Sequence, residues 1–315
     1  MTIQKFYFKM YRALIFILLF ITYNLNAQNS TFIKVWPGKP LYATTPKNME
    51  RGELGKDGVT RYFDITIPTL EYYSPENPSG PAVIICPGGG YRYIAYTNEG
   101  INMAKWFAKQ GVAAFILKYR IPNDDYMEHK DRVPLADAQE SILYLRKNAD
   151  KYGIDPDKIG VIGFSAGGHL AATLSTHFNK PVIPNDEKIN LRPDFNILIY
   201  PVISMRTEVT HRGSENSLLG KNPSNEMINE YSNELHVTEK TPITFLMQAS
   251  DDPAVPVANS IVYYEALIQN HIPAAMHFFQ KAGHGFTMKN PWVDKQWLYL
   301  LHNWLIENKI IEGQE

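Results

Sequence analysis

Lys158-Ile159-Gly160-Val161-Ile162-Gly163-Phe164-Ser165-Ala166-Gly167-Gly168-His169 decides how this chain folds. Ile159, Val161 and Ile162 form an apolar run of strand type, and it drives straight into Gly163-Phe164-Ser165-Ala166-Gly167. A segment rich in Ala and Leu follows at once. Strand, sharp turn and helix in that order are what a nucleophile elbow requires. A serine on so tight a turn needs small neighbours two residues before and after it, and Gly163 and Gly167 meet that need. The helix that follows aims unpaired backbone N–H groups at any negative charge that develops near the Ser165 oxygen.

Working outward, Ala82–Cys86 and Val112–Leu117 are short runs apolar on both faces, the pattern of parallel strands covered by helices. Residues 197–200, 243–247 and 274–279 read as further strands. Helices are expected over 98–110, closed by Gly111, over 134–152, closed by Gly153, and over 258–269. A last helix carries Trp297, Leu301, Trp304 and Leu305 on one side. Strands alternating with helices predict an α/β fold, a mostly parallel central sheet with helices on both faces. Residues 62–67 and 69–73 read as an antiparallel pair joined through Pro68, and Trp36-Pro37-Gly38 as the anchor of an N-terminal arm. Residues 203–240 are polar and mixed, and suit an insertion over the active face. Residues 28–315 are therefore expected to form a single domain.

Lys5, Lys9 and Arg12 precede an apolar core from Ala13 to Thr22, too short to span a membrane comfortably. Leu25-Asn26-Ala27 then offers a cleavage site before Gln28. Residues 1–27 are expected to be a signal peptide, the mature protein secreted or periplasmic with no stable membrane insertion. A formal net charge of −1 over 315 residues provides no attraction to nucleic acid or to an anionic membrane. The one cysteine, Cys86, cannot form an internal disulfide and ends an apolar strand, which suits a buried small hydrophobe. No feature specifies an oligomeric state.

A serine hydroxyl is a weak nucleophile at neutral pH and needs a base oriented by an acid. In this topology the acid follows a late strand and the histidine comes last. Ser250-Asp251-Asp252-Pro253-Ala254-Val255-Pro256 follows one strand and Lys281-Ala282-Gly283-His284-Gly285-Phe286 the next. Asp252 is the preferred acid, with Asp251 in reserve, and His284 is the base. The N–H groups of Gly89, Gly90 and Ala166 are the expected oxyanion donors. Gly88-Gly89-Gly90 is followed by Tyr91 and not by the Lys-Ser/Thr of a phosphate loop. His169, four residues beyond Ser165, reads as structural or supporting, and His277 lies inside a strand. His129, His177, His211, His236, His271 and His302 show no ligand spacing, so no metal and no cofactor is expected.

Pro87-Gly88-Gly89-Gly90-Tyr91, the Ser165 elbow, Asp252-Pro253-Ala254-Val255-Pro256 and Gly283-His284-Gly285-Phe286, in this order, resemble the α/β-hydrolase superfamily. Within it the chain is similar to bacterial secreted esterases of the acetylxylan esterase and feruloyl esterase-like group, over roughly residues 32–309. The resemblance implies a Ser165–His284–Asp252 triad acting on acylated carbohydrate, with xylan or xylo-oligosaccharide acetyl groups as substrate. Tyr91 and Trp292, with Tyr93 and Tyr96, are candidates for stacking on sugar rings. The chain departs from the hormone-sensitive-lipase-like pattern at Pro87, where that branch has His, and many relatives have His-Gly where this chain has Gln248-Ala249. Alternative readings are a feruloyl esterase, a prolyl oligopeptidase-like serine peptidase, and a non-catalytic binding protein on the same fold.

Overall fold

The computed structural model describes residues 30–75 and 77–313; the expected signal peptide, residues 1–27, lies outside them. Among the described residues the strands are β1 (Thr31–Lys34), β2 (Arg51–Leu54), β3 (Thr60–Phe63), β4 (Thr69–Tyr73), β5 (Ala82–Cys86), β6 (Ile94–Ala95), β7 (Ala113–Lys118), β8 (Ile159–Phe164), β9 (Phe195–Ile199), β10 (Ile243–Ala249) and β11 (Ala274–Phe279). Eight of them form one sheet in the order β1-β4-β7-β5-β8-β9-β10-β11. From β7 to β11 all neighbours are parallel. β4 runs antiparallel to β7, and β1 antiparallel to β4. Every residue of β5, β7, β8 and β9 is buried, which is why these strands are apolar apart from Lys118 and Asn196 and do not alternate. Among the described residues no helix is long and apolar enough to cross a membrane.

The connection after β5 leads to β7 on one side, and the connection after β8 leads to β9 on the other. The strand order therefore reverses between β5 and β8, and a crevice opens outside their carboxyl ends. The Gly88–Gly90 loop leaves β5 there, and Ser165 leaves β8.

The expected antiparallel pair over 62–67 and 69–73 does not form. Asp64 takes φ 50°, a left-handed turn that Asp tolerates, and ends β3 at Phe63. β3 pairs instead with β2 and β6 in a small three-stranded sheet, while β1 and β7 occupy both edges of β4. The expected helix over 98–110 begins as a π-helical stretch, Thr97–Asn102, before turning α-helical at Met103–Lys109. The expected helix over 134–152 is two: Val133–Lys147 and Ala149–Tyr152. At the break Asn148 donates to the Tyr144 carbonyl from both its backbone N–H, at 3.1 Å, and its side chain, at 2.8 Å. Residues 203–240 contain two short helices, Arg212–Leu219 and Asn225–Glu230, and a 3₁₀ turn, Asn233–His236.

Two buried polar groups tie the periphery to the sheet. Arg120, just past β7, and Asp137, on the helix Val133–Lys147, form a fully buried ion pair at 2.7 Å. Asp137 also accepts from the Trp36 indole at 2.8 Å, and Arg120 donates to the Leu41 carbonyl at 2.7 Å, so the pair holds the N-terminal arm. His169, on the helix Ala166–Thr176, is fully buried. Its Nε2–H donates to the Tyr231 carbonyl at 2.8 Å, which leaves Nδ1 to accept from the Tyr91 hydroxyl at 2.9 Å. Burial lowers this imidazole to about 4, against an ordinary value of 6.5.

Asp137→Ala leaves the Arg120 guanidinium buried without its anion and is expected to cost about 3–5 kcal/mol in urea unfolding. Between pH 4 and 6.5 the unfolded chain takes up a proton at His169 that the folded chain refuses. Stability therefore rises with pH across that window and is lost as pH falls through it. Thermal melts between pH 7 and 4.5 are expected to register a loss of about 2–3 kcal/mol from this group, absent in His169→Gln. Parallel pH profiles for the two proteins would refute this account.

Candidate active site

The elbow is a strained turn held from both sides. Ser165 has φ 52° and ψ −119°, outside the regions open to a relaxed L-residue. Its N–H donates to the Ile199 carbonyl at 3.2 Å, and its carbonyl accepts from the Val202 N–H at 3.0 Å. Space for the turn depends on two glycines. A Cβ on Gly163 would lie 2.2 Å from the Gly167 carbonyl oxygen, and one on Gly167 would lie 2.1 Å from that of Cys86. The helix Ala166–Thr176 can thus start directly against the end of β5, beside the glycine loop.

Three segments distant in sequence meet at Ser165. The Ser165 hydroxyl lies 2.9 Å from His284 Nε2, and His284 Nδ1 lies 2.7 Å from Asp252 Oδ2. An ionised carboxylate only accepts, so Nδ1 carries the proton and Nε2 receives the serine hydroxyl. Asp252 Oδ1 accepts from the Ala254 and Val255 amides, each at 2.9 Å. Burial raises the Asp252 carboxyl, but the bonds from His284, Val255 and Ala254 outweigh it and hold the group below its ordinary value. Asp251 does different work. Its Oδ1 accepts from the Ala282 and Gly283 amides, both at 2.9 Å, and so pins the loop that carries His284. Gln248 donates to the Val255 carbonyl at 2.9 Å and steadies the Asp252 turn.

A cavity of about 260 Å³ opens on Ser165 and His284 and is bordered by Gly89 and Gly90. The Gly88 amide is committed to Glu99 Oε2 at 2.7 Å. The Gly89 carbonyl accepts from the Arg92 N–H at 3.1 Å, closing the loop into a turn. Ala166 opens its helix immediately after the serine.

The aromatic candidates divide. Tyr93 lines the cavity. Tyr91 does not: its ring is buried and its hydroxyl is bound to His169, so no face is left for a sugar. Tyr96 is buried, with its hydroxyl on Glu71. Trp292 is 68 % exposed on the last helix, Pro291–Glu307, and is not part of the cavity wall.

Several residues of the site escaped the sequence reading. Glu99 is buried on the π-helical stretch, and its Oε1 accepts from the Tyr200 hydroxyl at 2.8 Å. Burial raises this carboxyl, and the Gly88 amide and Tyr200 hydroxyl oppose the rise. The Tyr200 ring packs against His284 with centroids 4.8 Å apart. Of residues 203–240, His211 reaches the cavity. Its Nδ1 faces the Ser214 amide at 3.3 Å, which leaves the proton on Nε2. Arg92, Thr287 and Lys289 complete a polar, largely cationic rim. A π-turn aiming one Glu inward leaves a helix-like sequence pattern, and His211 sits in no recognisable motif; neither carried a usable signal.

The BD-FAE family profile matches residues 70–267. The chain is 37% identical over 240 residues to an acetylxylan esterase of Xylanibacter ruminicola, covering 74% of this chain and 47% of that protein. It is 38% identical over 230 residues to endo-1,4-beta-xylanase B of Butyrivibrio fibrisolvens, covering 71% of this chain and 35% of that protein. The chain thus spans less than half the length of either relative. Among solved structures, an acetyl ester-xyloside bifunctional hydrolase from Caldicellulosiruptor lactoaceticus superposes with a TM-score of 0.75 at 34% identity, over 89% of this chain and 97% of that one. With the strand order, the elbow and these similarities together, the chain belongs to the BD-FAE family of α/β hydrolases.

Proposed function

We propose that this chain is a serine carboxylic ester hydrolase that removes acetyl groups from xylan or xylo-oligosaccharides, with Ser165 as nucleophile, His284 as base and Asp252 as orienting acid. The observation that carries the proposal is the hydrogen-bonded line from Ser165 through His284 to Asp252, at 2.9 and 2.7 Å, opening on a cavity beside Gly89 and Gly90. The xylan-directed names of the relatives support the substrate class.

In this mechanism the Ser165 oxygen attacks the acetyl carbonyl carbon while His284 Nε2 takes its proton. Asp252 favours the resulting imidazolium and holds the ring in place. The carbonyl oxygen becomes an oxyanion, received by the N–H groups of Ala166, Gly89 and Gly90; each such donor contributes about 3 kcal/mol to the barrier reduction in comparable sites. Collapse expels the sugar oxygen, which leaves with the proton from His284, and an acetyl-serine remains. Water then attacks it with His284 again as base, acetate departs and Ser165 is regenerated. Tyr93 on the cavity wall is the aromatic we assign to contact with a sugar ring. We also propose that residues 1–27 direct export and are removed, on the basic start and short apolar core of that segment.

Acetate release from acetylated xylan and p-nitrophenyl acetate is expected to vanish in Ser165→Ala; activity surviving that change removes the proposal. Asp252→Asn is expected to lower kcat by a factor on the order of 10⁴, because His284 then adopts the wrong tautomer. Asp251→Asn is expected to cost far less, since Asp251 bonds only backbone amides of the His284 loop. Preferred release of ferulate, or cleavage of aminoacyl anilides with no ester preference, would displace acetyl-xylan as the substrate.

A further inference from the structure

At the far end of the helix that Ser165 begins, a second cluster of chemistry-bearing side chains has assembled. His177 caps the helix Ala166–Thr176, with its side chain 5 % exposed. Glu230 ends the helix Asn225–Glu230 and His236 ends the 3₁₀ turn Asn233–His236. One ligand-capable atom from each of the three lies within 4.8 Å of the others.

Hydrogen bonding decides which nitrogen of each ring keeps a lone pair. His177 Nδ1 lies 2.9 Å from the Thr176 hydroxyl oxygen. That hydroxyl has acceptors for its own proton at the Ala172 carbonyl, 2.9 Å, and Asn233 Oδ1, 3.1 Å. The Asn233 amide nitrogen faces the Thr173 hydroxyl and the His169 and Ile203 carbonyls, which orients its oxygen toward Thr176. The Thr176 oxygen therefore accepts from His177 Nδ1–H, and Nε2 holds a lone pair. That Nε2 is buried and has no hydrogen-bond partner among the described residues. It faces Glu230 Oε1 at 3.6 Å. His236 Nε2 lies 2.9 Å from the Asn229 carbonyl, which can only accept, so His236 also keeps a lone pair, on Nδ1.

One nitrogen of each imidazole and a Glu230 carboxylate oxygen thus converge, and of these His177 Nε2 and Glu230 Oε1 are both acceptors. Two facing acceptors repel each other unless a cation lies between them. Lys180 Nζ stands 3.5 Å from Glu230 Oε1 and meets that need in part, but it is an exposed, movable side chain that reaches only one of the three. We propose that His177, Glu230 and His236 bind a zinc ion that fastens the 203–240 segment to the elbow helix. Zinc accepts imidazole nitrogens and carboxylate oxygens at about 2.0–2.2 Å, and buried ligating histidines are oriented by a bond at the other ring nitrogen, as Thr176 and Asn229 do here. The ligand atoms must draw together by about 1 Å to reach that geometry. Glu230 is about half exposed and His236 partly so, and both have room to move. The open side of the cluster borders a surface cavity lined also by Lys180 and Tyr231, where water can complete the coordination. An eleven-residue helix separates the ion from Ser165 by about 16 Å, so its work is structural. It would steady the segment that brings His211 to the catalytic cavity.

The test is a zinc titration of the chelator-treated full chain at pH 7.5, in competition with a chromophoric indicator. Uptake of one Zn²⁺ per chain with a rise in Tm is expected, and Co²⁺ in its place should give the visible bands of a four- or five-coordinate nitrogen–oxygen site. Glu230→Gln and His236→Gln, both at accessible positions, are each expected to weaken zinc binding by about tenfold or more and to abolish the Tm rise. Both should leave ester hydrolysis in metal-free buffer unchanged. No uptake at micromolar zinc, or equal affinity and equal Tm shift in wild type and both variants, would overturn the site.

Discussion

The architecture of the catalytic crevice depends on how closely two backbones approach. A Cβ at Gly167 would lie 2.1 Å from the Cys86 carbonyl, and one at Gly163 would lie 2.2 Å from Gly167 itself. With neither present, the elbow helix starts against the end of β5, and Ser165 and the Gly88–Gly90 loop share one cavity wall. That contact converts a topological feature, the reversal of strand order between β5 and β8, into a site where a nucleophile and backbone donors face the same space. The strained backbone of Ser165 persists because strands buried on both faces leave it no room to relax.

Around that contact the acidic residues divide their labour by what their oxygens accept. Asp252 accepts the imidazole Nδ1–H on one oxygen and two amides on the other, which holds it ionised and fixes its direction. Asp251 takes two amides from the partner loop and thereby sets where His284 stands. Glu99 takes the Gly88 amide and so pins the start of the glycine loop, while Gly89 and Gly90 border the cavity. Of these three carboxylates, Asp252 is the one that bonds the His284 ring.

The elbow helix is itself fastened along its length by histidines in neutral tautomers. His169 joins it to Tyr91 on one side and to the Tyr231 carbonyl on the other. His177, at its end, is fixed by Thr176 and turns its other nitrogen toward Glu230 and His236. The segment 203–240, which delivers His211 to the cavity, therefore hangs on the same helix that delivers Ser165.

Apolar runs without alternation were enough to read an α/β sheet, because burial on both faces leaves a local mark on composition. The α/β-hydrolase reading came from the resemblance of four motifs in order, among them a serine with glycines two residues to either side and a histidine between glycines. Asp252 was separable from Asp251 only as a preference, since neighbouring carboxylates differ in direction and not in chemistry. Tyr91 looked like a ligand platform because it follows the glycine loop, yet its backbone takes φ 56° and its ring is buried against His169. The β3–β4 pairing failed because one left-handed residue, Asp64, redirected the chain. Sequence by itself determined the parallel strands β5 and β7 to β11, the elbow and the chain order of the candidate serine, acid and histidine, because burial on both faces and tight turns leave local marks. Tertiary structure alone decided which polar groups face each other, from Glu99 and the Gly88 amide to His177 and Glu230, because those partners are chosen by the packing of segments far apart in the chain.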